Sequence, residues 1–426
     1  MCHVRNISKN SRTPDTALML KKEKYLQKIY QGNIQRYGSN PKIRKVMVGP
    51  LAIGGGAPII VQSMCSTDTR DIKATLAQIH RLTEAGCELV RVAVPDEAAS
   101  AALSTIVAEA GVPVVADIHF HYKRALEAVK AGVAKIRINP GNIGSADRVK
   151  AVVDACGSAG IPIRIGVNSG SLPDDILDRD SHKVTAHGMV DAALREVELL
   201  EREGFHDIIV SMKATETSVM IESNRLFRQK SDIPLHLGIT EAGLPGYGSI
   251  KSAIGIGSLL IDQIGETIRV SLSSPPEEEI EVCWWILEAT GVRRRSPELV
   301  GCPTCGRIEI DLIELMKDVQ KILKDVSIPV KVAVMGCVVN GPGEARDADI
   351  GIVGKHLGLS CWVARPFGEQ LVDQTQGRDE IAVDRLDTEA ITLLVTVFTD
   401  EGDGFFESLA ATFDLDQSEH DASGRN

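Results

Sequence analysis

The amino-acid sequence predicts an α/β protein in which a (β/α)8 barrel of the TIM type is followed by a smaller α/β domain. Three observations carry that expectation. Eight short apolar runs recur between residues 58 and 273, separated by stretches of helical periodicity; several of those stretches end at a glycine; and the composition changes where a cysteine-bearing segment, GCPTCGR, begins at Gly301. At 426 residues and 43% hydrophobic, the chain can bury one large core and a lesser one.

The apolar runs, in order, are PIIVQSM from Pro58, ELVRVAV from Glu88, VPVVADI from Val112, KIRIN from Lys135, IPIRIGV from Ile161, DIIVSM from Asp207, PLHLGIT from Pro234 and TIRVSLS from Thr267. Between them lie segments such as KATLAQIHRLTEAG and ADRVKAVVDACGSAG, with Gly86, Gly111, Gly132, Gly160, Gly204 and Gly291 placed to end helices in the left-handed conformation. Strand, helix, glycine, strand repeated eight times closes most naturally into a parallel barrel over roughly residues 46 to 292. A doubly wound open sheet is the rival, but no G-x-G-x-x-G follows the first strand, and Gly54 to Gly56 precede it as a turn. The domain reading is an N-terminal extension at 1–42, the barrel at 43–292, a cysteine domain at 293–400 and an acidic tail at 401–426.

Chemistry in a parallel barrel gathers at the C-terminal ends of the strands, so the polar residues that close each run matter most. They are Gln62 and Ser63, Arg91, Asp117 and His119, Arg137 and Asn139, Arg164 and Asn168, Lys213, Thr240 and Glu241, and Ser271 and Ser273. Four cations at one mouth repel one another unless an anion sits among them, and phosphate or diphosphate suits arginine forks and a lysine point charge. The competing expectation is that each arginine pairs with an acid across the barrel; Asp117 and Glu241 are the evident inward acids.

After the charged, proline-bearing stretch ATGVRRRSPELV, Cys302 and Cys305 stand two residues apart in GCPTCGR. A helix is expected from about Asp311 to Lys324, then a strand, PVKVAVMG, with Cys337 at its end. Pro342 between two glycines makes a tight turn able to bring Glu344 back towards the thiols. Three soft ligands and one oxygen suit an iron-sulfur cluster with one iron left for a weaker ligand. Zinc and a redox dithiol stay open on spacing alone, although a zinc site lacks a ready fourth ligand, His356 and Cys361 lying in a strand-turn-strand stretch. Cys87, Cys156 and Cys283, with Cys65, read as packing residues, and Cys2 belongs to the extension.

A net charge of -11 argues against a protein that works on nucleic acid phosphates. There is no apolar run of about eighteen residues and no apolar core of a secretory signal near the start, so a cytoplasmic protein outside the membrane is expected. A basic, acid-poor beginning leaves an organelle transit peptide open. Nine cysteines without a secretory signal fit a reducing compartment and a metal or catalytic role for some of them.

The motifs PIIVQSM, RVAVPD, ADIHF, KIRINPGNIG, IRIGVNSGSL, VSMKAT, LGITEAG, GCPTCGR and MGCVVNGPGEA occur in order and carry a resemblance that covers roughly residues 43 to 395. In this the chain closely resembles the bacterial 4-hydroxy-3-methylbut-2-enyl diphosphate synthases of the non-mevalonate isoprenoid pathway. The resemblance implies a TIM barrel with a 4Fe-4S domain and a two-electron ring opening of 2-C-methyl-D-erythritol 2,4-cyclodiphosphate, with flavodoxin or ferredoxin as donor. It implies Cys302, Cys305 and Cys337 as cluster ligands and Glu344 as the displaceable fourth. Arg91, Arg137, Arg164, Lys213, Asn168 and Ser271 are implied for the diphosphate. Asp117, His119 and Glu241 would stand near the reacting carbons, and Asn340 on the cluster side. A homodimer is also implied, with one subunit's cluster domain capping the other's barrel. The register of Arg91 and Ser271 is open, Ser273 being the alternative to Ser271. The rivals are a barrel aldolase or lyase with structural zinc, and a binding module using the barrel as a scaffold. Radical S-adenosylmethionine chemistry is disfavoured because no C-x-x-x-C-x-x-C occurs.

Overall fold

The computed structural model describes residues 39–119, 121–324, 326, 330–337, 339, 341–345, 348, 350–355, 358–364 and 378–383, and the chain divides between Arg293 and Arg294 into two compact units. The first unit opens with a hairpin, β1 (Val46–Val48) and β2 (Leu51–Ile53), turned through Gly49. Eight strands follow: β3 (Ile60–Met64), β4 (Leu89–Ala93), β5 (Val114–Asp117), β6 (Lys135–Ile138), β7 (Ile163–Asn168), β8 (Ile208–Lys213), β9 (His236–Leu237) and β10 (Thr267–Ile268). Each coincides with one of the eight predicted runs, β7 and β8 extending one residue past theirs to Asn168 and Lys213. They pair in parallel in the order β8-β7-β6-β5-β4-β3-β10-β9, and a parallel bridge from Val210 to Leu235 joins the two ends, so the sheet closes. One circuit of the paired residues displaces the register by eight residues, the shear of a TIM barrel.

The surrounding helices are α1 (Ile72–Glu84), α2 (Glu97–Glu109), α3 (Tyr122–Lys130), the single turn α4 (Pro140–Ile143), α5 (Ala146–Ala159), α6 (Asp174–Arg179), α7 (Ala186–Glu201), α8 (Thr217–Lys230), α9 (Tyr247–Ile261) and α10 (Pro276–Ala289). Their starts follow from side-chain caps: Asp71 accepts from the Ala74 N–H, Asp96 from Ala99 and Thr185 from Gly188. The six glycines read as helix ends all take positive φ, between 64° and 98°.

Side chains alternate across each strand, so Val90, Ile136, Ile163 and Val210 face the helices while their neighbours face inward. The register sorts the inward residues into tiers of four drawn from alternate strands. From the bottom these are Leu89, Lys135, Ile209 and Thr267; then Gln62, Val115, Arg164 and His236; then Arg91, Arg137, Ser211 and Arg269; then Met64, Asp117, Gly166 and Gly238. Branched apolar residues ordinarily fill such a barrel. Here they fill only its base, where the β1–β2 hairpin packs Val46, Val48 and Ile53 against Ile60, Leu89, Val115 and Ile209.

The second unit is a five-stranded sheet in the order β11 (Glu298–Gly301), β12 (Lys331–Met335), β13 (Ile350–Lys355), β14 (Gly358–Ala364), β15 (Arg378–Val383). The first three strands are parallel and the last two join antiparallel. Helix α11 (Leu312–Leu323), capped by Asp311, lays Leu312, Val319 and Leu323 on Val332, Val334, Ile350 and Ile352. Glu298–Val300, the end of the charged, proline-bearing stretch, together with Gly301 pairs with Lys331–Val334 as the edge of this sheet.

Candidate active site

Three of the four residues in the third tier are arginines. Arg91 lies against the Met64 sulfur, with its Nε 3.6 Å from Asp117 Oδ2. Arg137 donates to the other oxygen of Asp117 at 3.2 Å and to the Gly166 carbonyl at 3.4 Å. Arg269, which the sequence reading passed over, approaches Glu279 Oε2 at 3.5 Å. Arg164 lies one tier lower, as the second residue of β7 and not at the strand end, and is 1% exposed. With Lys135 and Lys213, six basic side chains point into the barrel.

Two carboxylates answer them among the described residues. Burial works against the Asp117 carboxylate, but Arg91, His119 and Arg137 outweigh it and hold its pKa well below the usual range. Glu279, from the first turn of α10, accepts from the Leu272 N–H at 3.0 Å and from the Ser63 hydroxyl at 3.3 Å. Its burial raises its pKa against the pull of Arg269. Glu241 is not the second inward acid that the sequence suggested: it is exposed, follows β9 with φ of 56°, and accepts from the Thr215 hydroxyl at 2.9 Å.

The balance is therefore positive and partly unpaired. Arg137 Nε, Arg164 Nε and Nη1, Arg269 Nε, Gln62 Nε2 and His236 Nε2 are buried with no hydrogen-bond partner among the described residues. Nearly all of these are donors, so an acceptor-rich guest satisfies them. Burial and neighbouring cations press Arg164, Lys135 and Lys213 well below their ordinary pKa values, and burial brings Arg91 to about 10. Two glycines in the fourth tier make the room: a Cβ on Gly166 would stand 2.5 Å from Arg137 Nε, and one on Gly238 would stand 2.6 Å from Lys213 Nζ. Both cations occupy space that any other residue would fill.

Above these tiers lie the remaining candidates. Asn168 pairs in register with Lys213, both at the ends of their strands. Ser271 is half-buried, and the register puts it at the height of Lys213, whereas Ser273 is exposed and donates its N–H to the Gly243 carbonyl. His119 is half-exposed, with its Nε2 3.6 Å from Asp117 Oδ2. The Asn139 amide is turned to Glu196 of α7.

In the second unit, Cys302 directly follows β11 and Cys337 follows β12, its neighbour, so parallel pairing brings both thiols to one edge of the sheet. The Gly336 N–H donates to Cys302 Sγ at 3.2 Å. The Cys305 thiol is exposed, and the Arg307 backbone N–H, then its guanidinium, lower its pKa. The fields of Cys305, Cys337 and Glu344 all reach the Arg307 guanidinium, which joins the three positions electrostatically. Glu344 is exposed at the end of α12 (Gly341–Glu344), whose first N–H bonds the Cys337 carbonyl. No three His, Cys, Asp or Glu side chains among the described residues close on a single metal ion. Asn340 and His356 lie outside the described residues. Cys65, Cys87, Cys156 and Cys283 are buried in the barrel unit, where burial pushes each thiol up to about 12. They pack in the barrel core, as the sequence indicated.

Residues 43–284 match the GcpE TIM-barrel domain, and residues 298–381 match the GcpE protein C-terminal domain. A relative from Geobacillus kaustophilus, a 4-hydroxy-3-methylbut-2-en-1-yl diphosphate synthase (flavodoxin), is 54% identical over 313 residues, covering 74% of this chain and 83% of its own. A relative of the same name from Clostridium perfringens is 54% identical over 311 residues, 73% of this chain and 89% of its own. Among solved structures, a dihydropteroate synthase from Xanthomonas albilineans overlaps at a TM-score of 0.42 and 15% identity, over 57% of this chain and 98% of that one.

Proposed function

The chain belongs to the GcpE family, and from that premise we propose how its own residues carry the family's reaction. It is an oxidoreductase of isoprenoid biosynthesis that produces 4-hydroxy-3-methylbut-2-en-1-yl diphosphate; the zinc lyase reading finds no support among its relatives. The substrate is 2-C-methyl-D-erythritol 2,4-cyclodiphosphate, opened and deoxygenated with two electrons from flavodoxin. The observation that carries this reading is the arginine tier: Arg91, Arg137 and Arg269, with Arg164 below and Lys213 above, against two carboxylates make a receptor for a dianionic head.

Arg91, Arg137, Arg164 and Lys213 grip the diphosphate, with Asn168 and Ser271 donating from the rim. Arg269 belongs to the same set, since it shares a tier with Arg91 and Arg137. These donors are fixed before the substrate arrives, so binding costs little reorganisation. Asp117 holds Arg91 and Arg137 in their orientations, and His119 and Glu241 address the carbon skeleton. Asn340 is a further proposed substrate contact.

Cys302, Cys305 and Cys337 hold a 4Fe-4S cluster, and Glu344 is its exchangeable fourth ligand. The donor set fits: the thiols come from one edge of a sheet, and N–H groups already point at two of the sulfurs. Bound there, the cluster supplies electrons one at a time and a Lewis-acidic iron for the departing oxygen. Arg307 moderates the negative charge that the thiolates and Glu344 accumulate. The proposal extends to a cytoplasmic homodimer whose subunits share the active site. No helix among the described residues is long and apolar enough to cross a membrane.

The test is Glu344→Ala, purified without oxygen and compared with the unaltered chain for iron, sulfide and turnover. The expected outcome is an assembled but labile cluster with turnover nearly abolished. Full activity in the variant contradicts the ligand assignment, and an unaltered chain free of iron and sulfide after reconstitution contradicts the cluster.

A further inference from the structure

The lowest tier of the barrel contains a cation that the reaction as described does not use. Lys135, the first residue of β6, is 0% exposed, and its Nζ donates to Gln62 Oε1 at 3.2 Å. Its charged neighbours are Arg164 from β7 and Arg91 from β4, and the imidazole of His236 from β9 is held in its neutral form by burial and by the surrounding basic groups. From β10, Thr267 offers a hydroxyl already engaged with His236 Nδ1 at 2.6 Å, and Leu89 and Ile209 complete the tier. The hairpin beneath supplies Val46, Val48 and Ile53. Among the described residues no carboxylate stands in this tier or the next. Asp117 is three tiers higher and is shared by Arg91 and Arg137, while Glu279 stays with Arg269, Ser63 and Leu272.

An ammonium in that position would face two guanidiniums with one amide oxygen for company. Guanidiniums keep their charge in such surroundings, whereas a buried lysine gives up its proton readily. Burial first, then Arg164 and Arg91, disfavour the charged form here. We propose that Lys135 rests as the neutral amine and takes up a proton when a diphosphate seats on the arginine tier, so that anion binding and charging of this lysine are one linked event. This rests on the anion-receptor reading above. The proton comes from the buffer to the Nζ lone pair, offsets part of the negative charge brought in, and leaves again when the anion departs. Lys135 is a positioning residue in this account, since it acts through Arg164 and touches no substrate.

The sign of the pH dependence follows. The bound anion raises the lysine's affinity for a proton, so the anion binds the charged form more tightly. Binding weakens as pH rises through the window between the free and the bound pKa, by up to about tenfold per pH unit. Below and above that window Lys135 contributes no slope.

The experiment is calorimetric titration of the full chain with inorganic pyrophosphate near pH 8, in buffers of different ionisation enthalpy, for the unaltered protein, Lys135→Met and Gln62→Glu. Pyrophosphate's own ionisation is common to all three and drops out of the differences. The expected result is that the unaltered protein takes up more protons than Lys135→Met, the difference approaching about one per anion, and that the pH slope of the affinity flattens in the variant. Gln62→Glu, which sets a carboxylate against Lys135 and charges it in advance, should lose the uptake in the same way and covers the case in which Lys135→Met does not fold. Equal uptake in all three overturns the proposal and leaves the receptor intact. Failure of pyrophosphate to bind the unaltered protein overturns the receptor itself, and the proposal with it.

Discussion

The two units solve opposite problems with charge. In the barrel, the reactive groups are inside, held in tiers by strand register, and their charges are incompletely balanced by Asp117 and Glu279. In the second unit, the thiols and Glu344 stand at the end of a small sheet, and Cys305 and Glu344 are exposed. Under the proposed function the barrel is a receptor whose donors are already in place, and the sheet is a scaffold whose thiols depend on a bound group for their chemistry. On that reading preorganisation resides in the first unit and reactivity in the second, so damage to each should produce a different symptom.

The largest expected effect is at Cys337. Cys337→Ser removes a thiol 7% exposed after β12; activity should fall below detection with loss of iron and sulfide, while pyrophosphate affinity stays near that of the unaltered chain. Loss of that affinity as well would erase the division of labour. Next comes Arg164→Met, which takes a guanidinium with two unpartnered nitrogens out of the barrel. Iron content should be unchanged and pyrophosphate binding weaker by roughly ten- to a hundredfold, the range for one or two charge-assisted hydrogen bonds; unchanged affinity in calorimetry would separate Arg164 from the receptor. The smallest effect is at Gly166→Ala. The added methyl carbon would meet Arg137 Nε at 2.5 Å, so the guanidinium must leave Asp117 at a cost of about 1–3 kcal/mol. KM should rise several-fold with kcat little changed, and an unaltered KM would show that Arg137 has room to spare.

How much of this could be read from the residues alone depends on period and length. The eight βα units were legible because apolar runs and helical stretches alternate with glycine stops. The β1–β2 hairpin was not, because each of its strands is three residues long and the Gly49-Pro50 turn between them is a weak signal. Glu298–Gly301 was hidden by the arginines and proline before it. Attention to the residue closing each run found Arg137 and Lys213 but missed Lys135, which opens its run, and Arg269, which sits mid-run. The period of two would have found Arg269 once Thr267 was known to face inward. Which cations share a height depends on the shear, and that is a property of the closed sheet and of no single strand. Glu279 gave no strand signal at all, since it comes from an acidic helix start. In the second unit C-x-x-C spacing singled out Cys302 and Cys305, whereas Cys337 comes to the same end of the sheet as Cys302 only through the parallel pairing of β11 with β12, which no spacing shows.

The β1–β2 hairpin covers the bottom of the barrel: Val46, Val48 and Ile53 lay hydrocarbon against its base, so the polar lining faces the opposite end. A product that keeps its diphosphate must climb out against the same field that drew the substrate down. Release of the product is therefore expected to be slowed by the same charges that favour binding.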